Sequence, residues 1–180
     1  GVRNSNHFGT CMYYTLMGAR KGCVMLLTSN GGPAMAPWGG RKKIIGTNPW
    51  SVAAPAGRQA PFVVDMANTG VARGKIYLAR NKRLPIPLGW ALDAQGRPTT
   101  DAKAALEGSM LPLGAVSSPK GAMLALVVEL LVTAVIGAQF GFEASSFFVD
   151  EGNRPRIGQA FIVIDPGALA GSESYLDRVE

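Results

Sequence analysis

One long apolar run, residues 122–138, constrains the fold of this 180-residue chain more than any other stretch. Its apolar positions follow helical spacing, and a helix that is apolar on every side has to be buried. The run carries Glu129, and it is short for a membrane span, which needs about 20 apolar residues. We therefore predict a buried core helix here and no contact with a membrane.

Strand and helix patterns alternate along the rest of the chain, which predicts an α/β fold. No GxGxxG sequence follows a strand pattern, so the standard Rossmann phosphate loop is not expected. Prolines require an extended chain over residues 84–90. We predict helices over residues 8–20, 68–81 and 101–107, the last capped by Thr100, and strands over residues 23–28, 50–54, 62–66 and 160–164.

The chain has 18 basic and 12 acidic residues, a net charge of +6, which favours anionic partners. Phosphorylated cofactors, acidic substrates and nucleic acid all fit that description. The basic clusters at residues 20–21, 41–43 and 80–83 lack interleaved aromatic residues and any nucleic-acid-binding motif. We therefore interpret them as solvated faces and expect no nucleic-acid partner, although one cluster could meet the 2′-phosphate of NADP.

The two cysteines, Cys11 and Cys23, lie in apolar runs and form no CxxC motif. A cysteine in such a run behaves as a small hydrophobic residue, and two unpaired cysteines indicate a reducing, cytoplasmic location. One histidine and two separated cysteines make a poor ligand set, so no metal site is predicted.

His7 is the only histidine and lies in the polar stretch Asn4-Ser5-Asn6-His7-Phe8-Gly9. Its ordinary pKa lies near neutrality, so it suits a proton transfer that accompanies movement of a hydride. Neighbouring amide and hydroxyl side chains could orient the ring or a substrate. A histidine that only caps the following helix is the alternative.

Other candidate groups lie in turns and at element ends. Lys120 precedes the long helix, where backbone N–H groups and a full charge would hold an anion; a solvated lysine is the alternative. Gly31 and Thr47 lie in turns where backbone can approach a ligand closely, or in turns with no further role. Asp65 could bind a ribose hydroxyl or cap a helix.

Taken in order, these segments resemble the malate/L-lactate dehydrogenase family, NAD(P)-dependent oxidoreductases without a Rossmann fold. Each segment alone is short, but together they follow the family's order along essentially the whole chain. Besides the His7 stretch, they are Ala36-Pro37-Trp38-Gly39-Gly40, Gly46-Thr47-Asn48-Pro49, Asp65-Met66-Ala67, Val71-Ala72-Arg73-Gly74-Lys75, Pro87-Leu88-Gly89-Trp90-Ala91-Leu92-Asp93, Pro98-Thr99-Thr100-Asp101, Leu111-Pro112-Leu113-Gly114, Lys120-Gly121 and Ile157-Gly158-Gln159.

The resemblance implies roles for particular residues. His7 matches the family's acid/base histidine, and Lys120 matches a lysine that contacts the cofactor. The remaining cofactor positions implied by the resemblance are Gly31, Thr47, Asp65, Met66 and Ala67. The implied fold is α/β, a mixed sheet with flanking helices, and members are usually homodimers with the active site near the interface.

The family's chains are about twice as long as this one. The resemblance therefore implies that residues 1–180 are the central cofactor-binding portion, without an N-terminal substrate arm and a C-terminal segment. The implied activity is hydride transfer between a nicotinamide cofactor, NAD or NADP, and a small 2-hydroxy, 2-oxo or 2-imino acid. The basic residues at 41–43 favour NADP. A non-catalytic cofactor-binding fragment of the same family is the alternative.

Overall fold

The computed structural model describes residues 1–145 and 154–180 of the chain. The described residues contain both strands and helices, as the sequence patterns predict. In chain order the elements are β1 (Val2–Ser5), α1 (Cys11–Ala19), β2 (Val24–Ser29), β3 (Trp50–Ala54), β4 (Phe62–Met66), α2 (Arg73–Lys82), β5 (Ala91–Leu92), α3 (Ala102–Glu107), β6 (Ser109–Met110), α4 (Lys120–Glu129), β7 (Ile157–Ile164) and α5 (Ser172–Val179).

The main sheet has five strands in the order β1-β7-β2-β3-β4. Each pair of neighbouring strands in it is antiparallel; Leu27 of β2, for example, lies opposite Ser51 of β3 and Phe161 of β7. A single parallel bridge joins Met35 to Met110 outside these strands. The α/β class with flanking helices is confirmed, and the described strands show that its five-stranded sheet is antiparallel.

Helices cover both faces of the main sheet. Thr15 of α1 is buried against Ser51, with 2.9 Å between the two hydroxyl oxygens, so α1 lies on the Ser51 side. On the opposite face, Val128 of α4 and Val132 pack with Ala160 of β7. Because side chains alternate along a strand, the sheet can be buried from both sides, which gives a three-layer core.

A second apolar cluster forms beside the main sheet. It joins α2, α3 and the short antiparallel pair β5–β6, and Ile76 and Ala91 are fully enclosed. Ile86 inserts from the proline-rich segment that follows α2. The alternating Pro-Ile-Pro sequence keeps this segment extended, so a single apolar side chain can reach the cluster without a helix.

The long apolar run forms α4 and then a π-helical turn, Leu130–Val135. Ala125 and Val128 are completely buried, whereas Met123, Leu130 and Val135 are 58%, 57% and 71% exposed. The prediction of a buried core helix is therefore right for one face of the run only. Within the described residues, no helix is both long enough and apolar enough to cross a membrane.

Two predicted helices begin later than their apolar spacing suggests. Gly9 has φ +92, which is incompatible with a right-handed helix, so α1 begins at Cys11 rather than at residue 8. Asn68 and Gly70 donate backbone hydrogen bonds to Thr47 O and Leu111 O, so this stretch is tied to loops and α2 begins only at Arg73. The backbone conformation of Gly9 decides the first boundary, and hydrogen bonds to distant loops decide the second.

The cap of α3 was predicted one residue too early. Asp101, not Thr100, is the N-cap, since its Oδ1 accepts the Lys103 N–H at 2.7 Å. Four of the elements named above had no sequence prediction: β1, which is short and polar, the two-residue strands β5 and β6, and α5. The late strand β7 also begins at Ile157, three residues earlier than expected.

Candidate active site

The histidine motif follows the edge strand β1. The pairing of β1 with β7 shifts register between Val2 and Ser5, and Asn4 adopts a left-handed φ of 56°. Asparagine tolerates that conformation better than most residues. Such a bulge turns the chain locally, and here it directs the polar segment away from the strand and toward the loop that follows β2.

Two local hydrogen bonds orient His7. Its backbone N–H donates to Asn6 Oδ1 at 2.7 Å, and its Nδ1 accepts the Gly9 N–H at 3.1 Å. An accepting Nδ1 places the proton of the neutral imidazole on Nε2. His7 is exposed and does not cap α1, whose N-cap position is Thr10. The ring is thus a preset Nε2–H donor at the surface.

His7 lines a cavity of about 90 Å³ between the segment after β1, the loop after β2 and the loop before β3. This volume suits a small acid or one ring of a larger ligand, whereas drug-sized ligands occupy roughly 300–1,000 Å³. Three residues that the sequence analysis predicted as site residues, His7, Gly31 and Thr47, line this cavity. The cavity walls are His7, Phe8, Gly9, Cys11, Ser29, Asn30, Gly31, Thr47, Pro49 and Ile157.

Glycine allows the two loops behind this pocket to touch. A Cβ on Gly46 would lie 2.6 Å from the Gly31 carbonyl oxygen and 2.8 Å from its nitrogen. Real Cβ atoms do not approach backbone so closely, so only glycine permits this contact. The sequence predicted that the backbone of these two turns could approach a ligand closely. In the structure, the turns at Gly31 and Gly46 lie close to each other.

A series of backbone hydrogen bonds joins the other predicted positions to this pocket. Asn68 N donates to Thr47 O at 2.8 Å, Leu113 N to Asn68 O at 2.8 Å, and Gly121 N to Leu113 O at 3.1 Å. Ala67 precedes the first donor and Lys120 precedes the last. The predicted cofactor positions Thr47, Ala67 and Lys120 therefore lie in or next to one series of backbone hydrogen bonds.

Not every predicted residue enters the histidine pocket. In the part of the chain that the structure describes, Asp65, Met66, Ala67 and Lys120 lie outside the lining of that cavity. Met66 ends β4 opposite Trp50, and both Met66 and Ala67 are half-buried. The arrangement has two parts, a small pocket at His7 and a series of backbone hydrogen bonds that leads from Thr47 to Gly121.

Asp65 acts as a helix cap in this structure. Its Oδ2 accepts the Met12 N–H of α1 at 2.8 Å and the Thr10 hydroxyl at 2.6 Å. A carboxylate at a helix N-terminus satisfies free N–H groups and interacts favourably with the helix dipole. The capped helix is α1, which carries Cys11 into the pocket, so Asp65 positions part of the pocket wall.

Lys120 is exposed and is the first residue of α4. Its position at a helix N-terminus adds a full charge to the partial positive charge of the helix. A Cβ on the next residue, Gly121, would collide with Leu113 N and Asn68 O. Only glycine therefore allows the start of α4 to lie against the backbone of these two residues. Lys120 could therefore hold an anionic group such as a phosphate.

Only part of the basic run at residues 41–43 is available to bind a ligand. Lys43 Nζ donates to Leu106 O at 2.7 Å and to Glu107 O at 3.3 Å, so this charge caps the C-terminus of α3. Burial and the nearby Arg73 lower its pKa. Arg41 and Lys42 are exposed and line a cavity of about 490 Å³. Those two residues remain candidates for contact with a phosphate.

Sequence reasoning missed the functional interest of Glu129, which it treated only as a charge that interrupts an apolar run. The side chain is buried beneath the pocket loops, and its Oε1 accepts the Asn48 amide N–H at 3.0 Å. Burial raises the pKa of the Glu129 carboxyl, and hydrogen bonds from surrounding donors oppose that rise in part. The sequence feature that could have indicated this role is a single acidic residue within an apolar helix.

Comparison with known proteins gives a consistent result over the whole chain. A family model described as malate/L-lactate dehydrogenase matches residues 1–180. The chain is 46% identical over 179 residues to the (2R)-3-sulfolactate dehydrogenase (NADP(+)) of Chromohalobacter salexigens. That match covers 99% of this chain and 52% of the relative, so the chain spans about half the length of the curated relatives it matches.

Solved structures of similar proteins share the architecture. The sulfolactate dehydrogenase from Methanocaldococcus jannaschii superimposes with a TM-score of 0.85 at 41% identity, covering 98% of this chain and 50% of that one. The Δ1-piperideine-2-carboxylate reductase from Pseudomonas syringae gives a TM-score of 0.86 at 32% identity, covering 99% and 55%.

Proposed function

Because this chain belongs to the malate/L-lactate dehydrogenase family, we propose that it supplies the cofactor-facing part of an NAD(P)-dependent oxidoreductase. The substrate class is a small 2-hydroxy or 2-oxo acid, or a cyclic 2-imino acid. The observation that carries the proposal is the meeting of His7, Gly31 and Thr47 in one pocket. NADP is the preferred cofactor, supported by the exposed charges of Arg41 and Lys42 and by the name of the Chromohalobacter relative.

His7 is the proton donor in the reductive direction. When bound, NADP(H) supplies or accepts the hydride at substrate C2. In its imidazolium form, His7 gives one ring proton to the substrate oxygen or nitrogen as the C2 double bond becomes a single bond, and it is left as the neutral imidazole; oxidation reverses both transfers. The Gly9 N–H bond to Nδ1 belongs to the neutral ring, because the imidazolium carries a proton on Nδ1 and cannot accept this bond. Lys120, which precedes Gly121 at the end of the hydrogen-bond series, binds a cofactor phosphate.

The variant His7→Gln tests this assignment, because glutamine retains a polar side chain but cannot act as an acid or base near neutral pH. We expect kcat to fall by about 10²- to 10⁴-fold, the usual contribution of general acid–base catalysis. The dissociation constant for NADPH, measured by fluorescence titration, should stay within about twofold, since His7 moves a proton rather than binds phosphate.

Tyr13→Phe, a change to an exposed ring of α1, is the control and should leave kcat unchanged. Turnover of His7→Gln at the wild-type rate would remove His7 from the chemistry. The same titrations with NADPH and NADH test the NADP preference. NADPH binding without turnover by the wild-type protein would support a non-catalytic cofactor-binding fragment, and no binding would contradict the cofactor assignment.

We also infer a homodimer, because apolar side chains along α4 and the π turn are exposed. Met123, Leu126 and Leu130 are about half-exposed or more on this surface. Contiguous exposed apolar groups of this kind are typical of protein–protein contacts. Sedimentation velocity on the purified protein should show twice the chain mass at micromolar concentration, whereas a monomer over that range would contradict the inference.

A further inference from the structure

Glu129 is the buried acid of α4, and hydrogen-bond donors surround it. Its Oε1 accepts from Asn48 Nδ2 at 3.0 Å and its Oε2 from Gly141 N at 3.2 Å. Hydrogen bonding from the Asn30 side chain and the Gly46 backbone also lowers the pKa of this carboxyl, against the larger effect of burial. Gly46 and Asn48 belong to the same loop, so these residues come from three parts of the chain: Asn30, the Gly46–Asn48 loop and Gly141.

The joined segments include both loops that form the pocket. Asn30 is followed by Gly31, and Thr47 lies between Gly46 and Asn48; Gly31, Thr47 and Asn30 all line the cavity with His7. A Cβ on Gly141 would lie 3.1 Å from Gly31 O and 3.1 Å from Glu129 Oε1. The carboxylate therefore lies directly beneath the pocket wall, with no side chain between them.

A buried acid is an expensive way to fill this space. Removing a carboxylate from water costs several kcal/mol unless donors compensate, and a well-packed apolar side chain would fill the same volume at lower cost. Asn48 already donates to Ala125 O at 2.9 Å, so it holds α4 without help from the acid. The specific contribution of an acceptor at position 129 is that it aligns the loops whose N–H groups donate to it.

We propose that Glu129 is a positioning residue for cofactor binding, which holds the Asn30–Gly31 and Gly46–Asn48 loops at the spacing that the bound cofactor requires. This inference rests on the proposed function of the His7 pocket. Glu129 touches no reacting atom in this arrangement, so its replacement changes binding rather than the proton transfer. Small displacements of a positioning group cost as much as about 10²-fold in related situations.

The test compares Glu129→Gln and Glu129→Ala with the wild-type protein. Glutamine is the same size but presents an amide NH₂ in place of one acceptor oxygen, so it loses at least one of the donor contacts while it preserves packing. We expect the KM and dissociation constant for NADPH to rise about tenfold in Glu129→Gln, with kcat within about twofold. Amide hydrogen exchange at Gly31, Thr47 and Gly141 should become at least tenfold faster.

Glu143→Gln is the matched control. Glu143 is exposed, and it accepts the Phe140 N–H at 2.9 Å in the same turn as Gly141. This variant should leave NADPH binding and exchange at Gly31 and Thr47 unchanged. Should Glu129→Ala fail to fold, the glutamine variant still decides the question.

The two proposals fail in different ways. Wild-type protein that binds NADPH, together with a Glu129→Gln variant of equal KM and equal exchange, would overturn the positioning role and leave the proposed function intact. A fall in kcat at constant KM would also overturn it. If the wild-type protein does not bind NADPH, the proposed function fails, and faster exchange confined to the three loop amides would still support the loop-holding role, whereas unchanged exchange would end it.

Discussion

Two side chains in the pocket wall, His7 and Cys11, differ sharply in their readiness to react. His7 is exposed, and the Gly9 N–H sets its tautomer. Cys11 is 3% exposed, and burial, with a further contribution from the charge of Asp65, raises the pKa of its thiol to about 12. The thiolate is the nucleophilic form, so Cys11 is a packing residue despite its place beside the candidate acid.

We therefore expect Cys11 to resist alkylation at pH 8 in the folded protein, because almost none of it is thiolate there. Cys23 is only half-buried and should react first. Iodoacetamide labelling followed by peptide mass spectrometry measures both sites, and labelling in denaturant serves as the control for full reactivity. Equal labelling of Cys11 and Cys23 in the native protein would contradict the burial of Cys11.

At the scale of elements, the helix starts decide where ligands and loops can approach. α4 begins against the loop at Leu113, and Gly121 allows this close approach. α2 also has a glycine in its first turn, but a Cβ on Gly74 would meet nothing within 4 Å. The two glycines look alike in sequence and have opposite structural importance.

Alanine at these positions should give opposite results. Gly121→Ala would force a methyl group into the Leu113 and Asn68 backbone, so we expect a loss of about 1–3 kcal/mol in the free energy of unfolding, as for other overpacked sites. Gly74→Ala should raise the free energy by roughly 0.5–1 kcal/mol, since alanine loses less entropy on folding. Urea unfolding measures the free energy of unfolding of both variants. Equal changes in the two variants would contradict the close contact of Gly121 with Leu113 and Asn68.

At the scale of the whole molecule, Glu129 links folding to pH. Burial is the larger influence, and it raises the pKa of this carboxyl above its ordinary 4.5 in the folded state. The folded protein then binds the proton more tightly than the unfolded chain does. The stability that this proton contributes is complete below pH 4.5 and is lost as pH rises through the raised pKa.

The free energy of unfolding of the wild-type protein should therefore fall, relative to Glu129→Gln, as pH rises from 4 to 8. Glutamine does not titrate in this range, so the difference between the two curves isolates Glu129. Urea unfolding at several pH values measures it, and Glu143→Gln should run parallel to the wild-type protein. A difference that grows with pH would mean that the donors outweigh burial.

The sequence determined the α/β class, the extents of β3 and β4, and the helical character of α1, α2, α3 and much of the apolar run. These follow from local rules, since periodicity and proline placement act over a few residues. The ordered motifs also indicated the family, which the match over residues 1–180 confirms. The roles of His7, Gly31, Thr47, Asp65, Met66, Ala67 and Lys120 stay predictions.

Only the tertiary structure decided which of these residues lie together and what the buried polar groups do. It brought His7 to Gly31 and Thr47, used Asp65 to cap α1, and placed Glu129 beneath both pocket loops. Each contact joins segments that are far apart in sequence, and their donors and acceptors pair only when the sheet and helices assemble. A local pattern reports propensity, whereas the partner of a buried polar group depends on the packing of the whole fold.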